Sequence, residues 1–590
     1  MDYENIFMEL FIMKNIILCS FLTFFILIQC SCSLFKKDTQ NEFVASEIHG
    51  SKERMSPQEN SVVILVDATK AGKELKHVWS YYGYDEANFT TEPDCISLMK
   101  TVAEINSEPV HLRQHFLLNS GDGKAYLKWG STNVYTEDEN GKPIYSWDIM
   151  DSVMDAVISS ECLPLVEIGF MPQALSVRPD PYKNSETYKL DGGCFYPPKD
   201  YDKWADLIRE WITHSKQRYQ DGVKNWLWEL WNEPDISYWH GTQEEYFKLF
   251  DYTEYALHEI LPQAILGGPH IAGVRNPFLK NFLKHCDSGT NYVTDQTGTR
   301  LDYIGFHAKG GTRLVDGHVR MNLGNQLRLH MAGFSTVAEF PRYKDTPIII
   351  GEADPDGCAA CPSETFPERG YRNSPAYGAY VAAMMKYSTD LAEQYQVNLK
   401  GVVTWAFMFA DQPWFYGFRT LSTNGVHKPV LNVFKMLGQL TGDELPLTST
   451  GSSELEELVS KGFRQKADIN GIAAKDEKTV RIILWNYHDD LVPVEPNRVE
   501  LKVDLPNDFG KRVKVTHYRV DSTHSDAYTK WLDLGRPQNP DPKQIKQLKE
   551  AMQLQMLEQV RKISVKNQQV NLKFDLPRHA VSLIVLEKSM

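Results

Sequence analysis

Three absences narrow the reading of this chain before any motif is considered. No glycine-rich phosphate turn follows an early strand, so an open doubly wound nucleotide-binding sheet lacks its usual signature. No second pair of ligands accompanies Cys358-Ala359-Ala360-Cys361, so zinc coordination there would be incomplete, and a loop-closing disulfide is the better expectation. Basic residues are outnumbered, with 63 Lys and Arg against 77 Asp and Glu and a net charge of −14, which excludes a phosphate backbone or an anionic membrane surface as a natural partner. Cysteine is also scarce. Beyond residue 32 only Cys95, Cys162, Cys194, Cys286, Cys358 and Cys361 remain. What is present is a 590-residue chain that is 42% hydrophobic and 12% aromatic, enough for two or three packed domains.

The N-terminus carries an address. Lys14 precedes an apolar run over residues 16–28, too short for a comfortable membrane span and of the length of a secretory signal. Cys30-Ser31-Cys32 resembles the lipid-attachment site of a bacterial lipoprotein, with either cysteine a candidate, while a plain cleaved signal or an uncleaved anchor stays open. Residues 1–32 are therefore expected to be a signal or lipoprotein segment and 33–60 a polar linker. The protein is expected to be exported, touching membrane only through an N-terminal lipid anchor.

From His77 onward, short apolar runs alternate with helix-period stretches such as 149–160, 201–219, 243–260 and 377–395. The runs begin near His77, Val110, Leu163, Trp226, Ile265, Leu301, Ile348 and Val402. Eight strands alternating with helices imply an α/β fold, a closed (β/α)8 TIM barrel, over 75–444. After residue 445 strands recur without long helices, which implies a C-terminal antiparallel β-sandwich over 445–590, interrupted by a polar, helix-like stretch at 542–561. The strand in 61–74 has no barrel partner and is assigned to the sandwich.

Chemistry is expected at two strand ends. Trp226-Leu227-Trp228-Glu229-Leu230-Trp231-Asn232-Glu233-Pro234 reads as a buried strand stopped at Glu233 by a proline that cannot donate to the ladder. Pro347-Ile348-Ile349-Ile350-Gly351-Glu352 ends the same way. Two carboxyls at the C-terminal lip of one barrel suit glycosidic bond cleavage, in which one donates a proton to the leaving oxygen and the other attacks the anomeric carbon. Tryptophans crowd Glu233, favouring it as the acid. Glu167 and Glu229 lie inside apolar runs and are set aside.

The ordered set of Trp79…Gly83-Tyr84, Arg113-Gln114-His115, Phe170-Met171-Pro172, Trp231-Asn232-Glu233-Pro234, Gly267-Gly268-Pro269, Phe306-His307-Ala308 and Gly351-Glu352 resembles glycoside hydrolase family 39, the family of β-xylosidases and α-L-iduronidases. The resemblance implies a barrel plus a sandwich, Glu233 as acid/base, Glu352 as nucleophile, a glycoside or oligosaccharide substrate, and neither cofactor nor metal. Around that pair, Asn232 is expected to meet the sugar's 2-hydroxyl and Arg113 to hold Glu352 ionised. His115 and His307 are either hydroxyl ligands or packed core histidines, and Trp405, like Tyr416 and Phe418, either floors the sugar or simply packs. Lys309 and Arg419 resemble the iduronidase branch, where such a pair grips a carboxylate, although Lys309 could instead pair with Asp316. The text around Trp405 is xylosidase-like. A retaining, exo-acting β-xylosidase type is therefore the leading expectation, with a uronidase, and an inactive surface glycan-binding lipoprotein, as alternatives.

Overall fold

The computed structural model describes residues 61–183 and 190–588, so the apolar leader and its cysteines lie outside the described residues. The first strand, β1 (Ser61–Asp67), precedes the barrel. The barrel strands are β2 (Tyr81–Tyr84), β3 (His111–Gln114), β4 (Leu163–Ile168), β5 (Leu227–Leu230), β6 (Ile265–Ile271), β7 (Tyr303–His307) and β8 (Pro347–Glu352). The eighth position is filled by β9 (Asn398–Val402) and β10 (Thr404–Trp405), separated only by Val403. Each strand pairs in parallel with the next, β9 runs beside β8, and β10 runs beside β2, which closes the ring. The expected (β/α)8 barrel is what the chain builds.

A helix follows each strand: α1 (Pro93–Ile105), α2 (Asp148–Ser159), α3 (Tyr201–Tyr219), α4 (Gln243–Ile260), α5 (Phe278–Ser288), α6 (Leu323–Ala338), α7 (Pro375–Tyr395) and α8 (Pro429–Leu437). In α3 the buried residues Trp204, Leu207, Ile208, Trp211, Ile212 and Ser215 recur at three- and four-residue steps, one stripe facing the sheet. Trp211 meets Trp228 of β5 edge-on, with ring centroids 5.5 Å apart. Fully burying side chains of that size stabilises by roughly 1.5–3 kcal/mol each. Thr242 and Glu245 form a reciprocal capping box that fixes where α4 starts. Pro375 occupies the first turn of α7, where a missing N–H costs nothing.

The second layer is a sandwich built from β11 (Asp443–Leu445), β12 (Leu447–Ser449), β13 (Asp468–Lys475), β14 (Thr479–Tyr487), β15 (Asn497–Asp504), β16 (Arg512–Val520), β17 (Gln569–Leu576) and β18 (Val581–Lys588). One sheet runs β12-β1-β15-β17, the other holds β11-β13-β14-β18-β16, and their inner faces bury Ile64, Val66, Leu501, Val503, Ile482, Leu484 and Ile584. Strand β1 does join this domain, but it runs parallel to β15, so the sandwich is not wholly antiparallel. The polar stretch also differs from expectation. Its helix ends at Ala551, and Gln555–Met556 and Arg561–Ser564 pair with β16, because ladder hydrogen bonds to an open sheet edge override local helix propensity.

Candidate active site

The strand carrying Glu233 stops earlier than its sequence suggests. Strand β5 ends at Leu230, and Trp231 and Glu233 both take left-handed backbone angles, φ 66° and 46°. Such angles are uncommon for residues with a side chain, and here the turn is held by Glu233 N–H donating to His270 O at 3.0 Å and Trp231 N–H donating to Ile168 O at 3.2 Å. Glu352, by contrast, is the last residue of β8 as expected. The residue before it must be glycine for room, since a Cβ on Gly351 would lie 2.3 Å from His270 Nδ1.

The two carboxylates meet across the barrel mouth. One oxygen of each, together with a ring nitrogen of His307, lie within 4.8 Å of one another. His307 Nδ1 is 2.9 Å from Glu233 Oε1 and 3.7 Å from Glu352 Oε1. The positive charge among these groups is supplied by Lys309, whose ammonium bonds Glu352 Oε2 and stands 3.8 Å from Glu233 Oε1. Lys309 therefore does not pair with Asp316. Arg113 reaches Glu352 Oε1 at 3.3 Å through Nη1 and donates to Asn232 Oδ1 at 2.9 Å through Nη2, which leaves the Asn232 amide N–H groups for a ligand.

Protonation follows from these contacts. Burial pushes the Glu233 carboxyl above the ordinary range, and the Glu352 charge adds to the rise against the opposing pull of Lys309. Burial would raise Glu352 as well, but the positive charges of Lys309 and Arg113 hold it well below the usual carboxylate value. Burial likewise drives His307 far down, so it is a neutral ring. One acid is thus set to carry a proton and the other to stay ionised.

Beneath the pair lies a charged core that the sequence reading discounted. Glu167 and Glu229 are register neighbours on β4 and β5, both fully buried. Arg113 Nε donates to Glu229 Oε1 at 2.7 Å and Nη2 lies 3.6 Å from Glu167 Oε2, while His270 Nε2 stands 2.8 Å from Glu229 Oε2. Burial opposes ionisation of Glu229, yet Arg113 and His270 hold it down to about 2. His115 is packed among charges rather than exposed to the cavity, with Nε2 2.7 Å from Glu167 Oε2 and 2.8 Å from Arg113 Nη1, and Nδ1 3.3 Å from Asp85 Oδ1. These interior acids precede their strand ends, where the sequence carries no sign of chemistry, but a guanidinium inside a barrel requires counter-charges at that depth.

A cavity of about 220 Å³ opens over the pair, lined by Asp85, Lys128, Asn232, Glu233, Tyr238, Lys309, Glu352, Gly357 and Cys358. Its size is that of a small-ligand site rather than a long groove. Of the expected sugar contacts, Asn232 and Lys309 are on its wall, while His115, His307, Trp405, Tyr416, Phe418 and Arg419 are not. Arg419 is fully buried, and its guanidinium is committed to Trp405 O, to Asp356 O and to the Asp354 and Asp356 carboxylates, with ion-pair distances of 3.2 Å. It cannot also grip a substrate carboxylate from there. Trp405 is 1% exposed, with the Arg113 guanidinium 4.8 Å and the His115 ring 4.2 Å from its centroid, so it packs the core of the site instead of flooring it. Tyr416 and Phe418 pack on each other at 5.2 Å. Asp85, which directly follows the aromatic run of β2, was readable by the logic that singled out Glu233, whereas Lys128 sits in an irregular loop with no local signal.

Barrel, sandwich and a facing carboxyl pair of opposite protonation define a glycoside hydrolase. The chain belongs to the glycosyl hydrolases family 39, whose model matches residues 62–566. It is 25% identical to a β-xylosidase of Geobacillus stearothermophilus over 498 residues, covering 81% of this chain and 86% of that one. It is 25% identical to the α-L-iduronidase of Mus musculus over 527 residues, covering 83% and 76%. Among solved structures, a monomeric β-xylosidase from Caulobacter crescentus CB15 superposes with a TM-score of 0.71 at 20% identity, over 90% of this chain and all of that one, a likeness of fold.

Proposed function

We propose that this glycoside hydrolase is a retaining, exo-acting enzyme of β-xylosidase type that removes terminal sugars from oligosaccharides by double displacement. The observation that carries the reading is the close approach of Glu233 and Glu352, with oxygens within 4.8 Å, joined to their opposed protonation. Retaining enzymes hold the two groups about 5–5.5 Å apart, while inverting enzymes leave about 6.5–9.5 Å for a water. Glu233 gives its proton to the departing oxygen as the ionised Glu352 attacks the anomeric carbon. Water then enters, deprotonated by Glu233, and releases the sugar with its original configuration. The small cavity supports exo action, and the β-xylosidase relatives support the sugar class.

A uronidase is the second reading, favoured by the presence of Lys309 and Lys128 on the cavity wall, where either could face a carboxylate at carbon five. Export as a lipoprotein remains part of the proposal, resting on residues 14–32. The test is a panel of aryl xylosides, arabinosides, glucuronides and iduronides. Glu352→Ala should abolish turnover, with azide partly restoring it and giving inverted product. Glu233→Ala should harm substrates with poor leaving groups by about a hundredfold or more and activated aryl glycosides far less. Equal losses on both would contradict the acid role, and glycan binding without any hydrolysis would favour a binding protein.

A further inference from the structure

We propose that Asp85 and Lys128 are the specificity-determining pair of this pocket, binding the two hydroxyls at C3 and C4 of the sugar whose bond is cleaved. The assignment rests on the glycosidase reading above and extends it to side chains outside the catalytic pair. Asp85 follows the last residue of β2, and Lys128 comes from the loop between β3 and α2, so two separate elements bring them to one cavity wall. Their side chains form an ion pair, 1% and 17% exposed.

The local structure is spent on placing them. Lys128 holds a left-handed φ of 60°, and its N–H donates to Glu86 Oε1 at 2.7 Å, a fully buried carboxyl that fixes the turn from behind. A non-glycine residue persists in that region only where its surroundings impose it, and strain of this kind collects at ligand sites. His115 Nδ1 stands 3.3 Å from Asp85 Oδ1, and the same histidine touches the charged core under the facing carboxyls. Burial would neutralise Asp85, but Lys128 and His115 hold it down to about 2, so it stays an acceptor throughout the working range.

The chemistry of the substrate completes the argument. Reaction places the anomeric carbon between Glu233 and Glu352, and Asn232 offers its free amide to the neighbouring hydroxyl. The ring hydroxyls at C3 and C4 then project toward the remaining polar wall. Buried there without partners they would carry an uncompensated desolvation cost. A carboxylate beside an ammonium matches a vicinal diol, since one group accepts from the first hydroxyl while the other donates to the second, both as charge-assisted bonds.

The experiment compares an aryl glycoside, of the sugar the enzyme turns over, with its 3-deoxy and 4-deoxy counterparts in wild type, Asp85→Asn and Lys128→Met. Wild type should disfavour the deoxy sugars by a hundredfold or more in kcat/KM, because each missing hydroxyl forfeits a charge-assisted hydrogen bond in a site built to make it. Each variant should lose about tenfold to a hundredfold on the parent sugar and much less on a deoxy sugar, so that discrimination shrinks. A structural role alone would scale all three substrates by one factor, and that outcome overturns the assignment. Lys128→Met, nearer the surface, carries the test if Asp85→Asn fails to fold. A wild-type enzyme that cleaved no glycoside would overturn the proposed function and this assignment with it.

Discussion

Lys309 shows how one side chain sets the working range of this site. Its ammonium touches Glu352 and stands 3.8 Å from Glu233, lowering both carboxyls. The proposed mechanism requires Glu352 ionised and Glu233 protonated, so the pH profile should be a bell whose acid limb follows the first and whose alkaline limb follows the second. Lys309→Met removes the charge that offsets burial, and both limbs should move to higher pH, by about one unit or more. An acid limb that stayed in place in kcat/KM against pH would contradict this. That Glu233, Glu352 and Arg113 come together was legible because an acid at a strand end, and a lone guanidinium beside it, have few reasons to be there. Arg419 misled for a physical reason. Its sequence neighbours do not reveal that Asp354 and Asp356, more than sixty residues upstream, already occupy its donors.

At the scale of elements, the loop after β8 has the most direct bearing on catalysis. Gly357 and Cys358 line the cavity, and Cys358 is bonded to Cys361, the pairing expected from spacing alone. Arg372 braces that loop from behind, donating to the carbonyls of Cys358, Ala359 and Cys361 and to Asp356 Oδ1 at 2.5 Å. A crosslink over so short a loop removes little chain entropy, about 2 kcal/mol. Replacing both cysteines by serine should therefore lower the melting temperature modestly and raise KM more than it lowers kcat, since the wall loosens while the acids stay put. Unchanged kinetics would show that Arg372 suffices to hold the wall. Helices α3 and α4 were readable to the residue because their apolar stripes are regular and their ends are capped. The turn at Trp231–Glu233 was not, since nothing local announces two left-handed residues imposed by bonds to His270 and Ile168.

Across the whole molecule, barrel and sandwich are joined by a buried polar contact. Tyr387 of α7 donates to Asp468 of β13 at 2.9 Å, and Trp485 Nε1 donates to the same carboxylate at 2.9 Å. Burial raises Asp468 to about 6, above its ordinary value near 3.8. A carboxyl raised by folding contributes stability that is complete below its unfolded value and is lost as pH climbs through the folded one. Melting temperature should therefore fall between pH 4 and 7, and Asp468→Asn should flatten that slope, as calorimetry across the range would show; an unaltered slope would refute it. The eight-strand alternation made the barrel legible, while the parallel seat of β1 beside β15 was beyond reach, because periodicity says which face is buried and not which distant strand lies next to it. That seat also has a consequence for the order of synthesis. Val62, Ile64 and Val66 leave the ribosome before the entire barrel, yet their neighbours in β15 follow it. At translation speeds of about 5–20 residues per second the strand waits on the order of tens of seconds with an apolar edge uncovered. During that interval the nascent chain depends on something other than its own fold to keep β1 from pairing with a stranger.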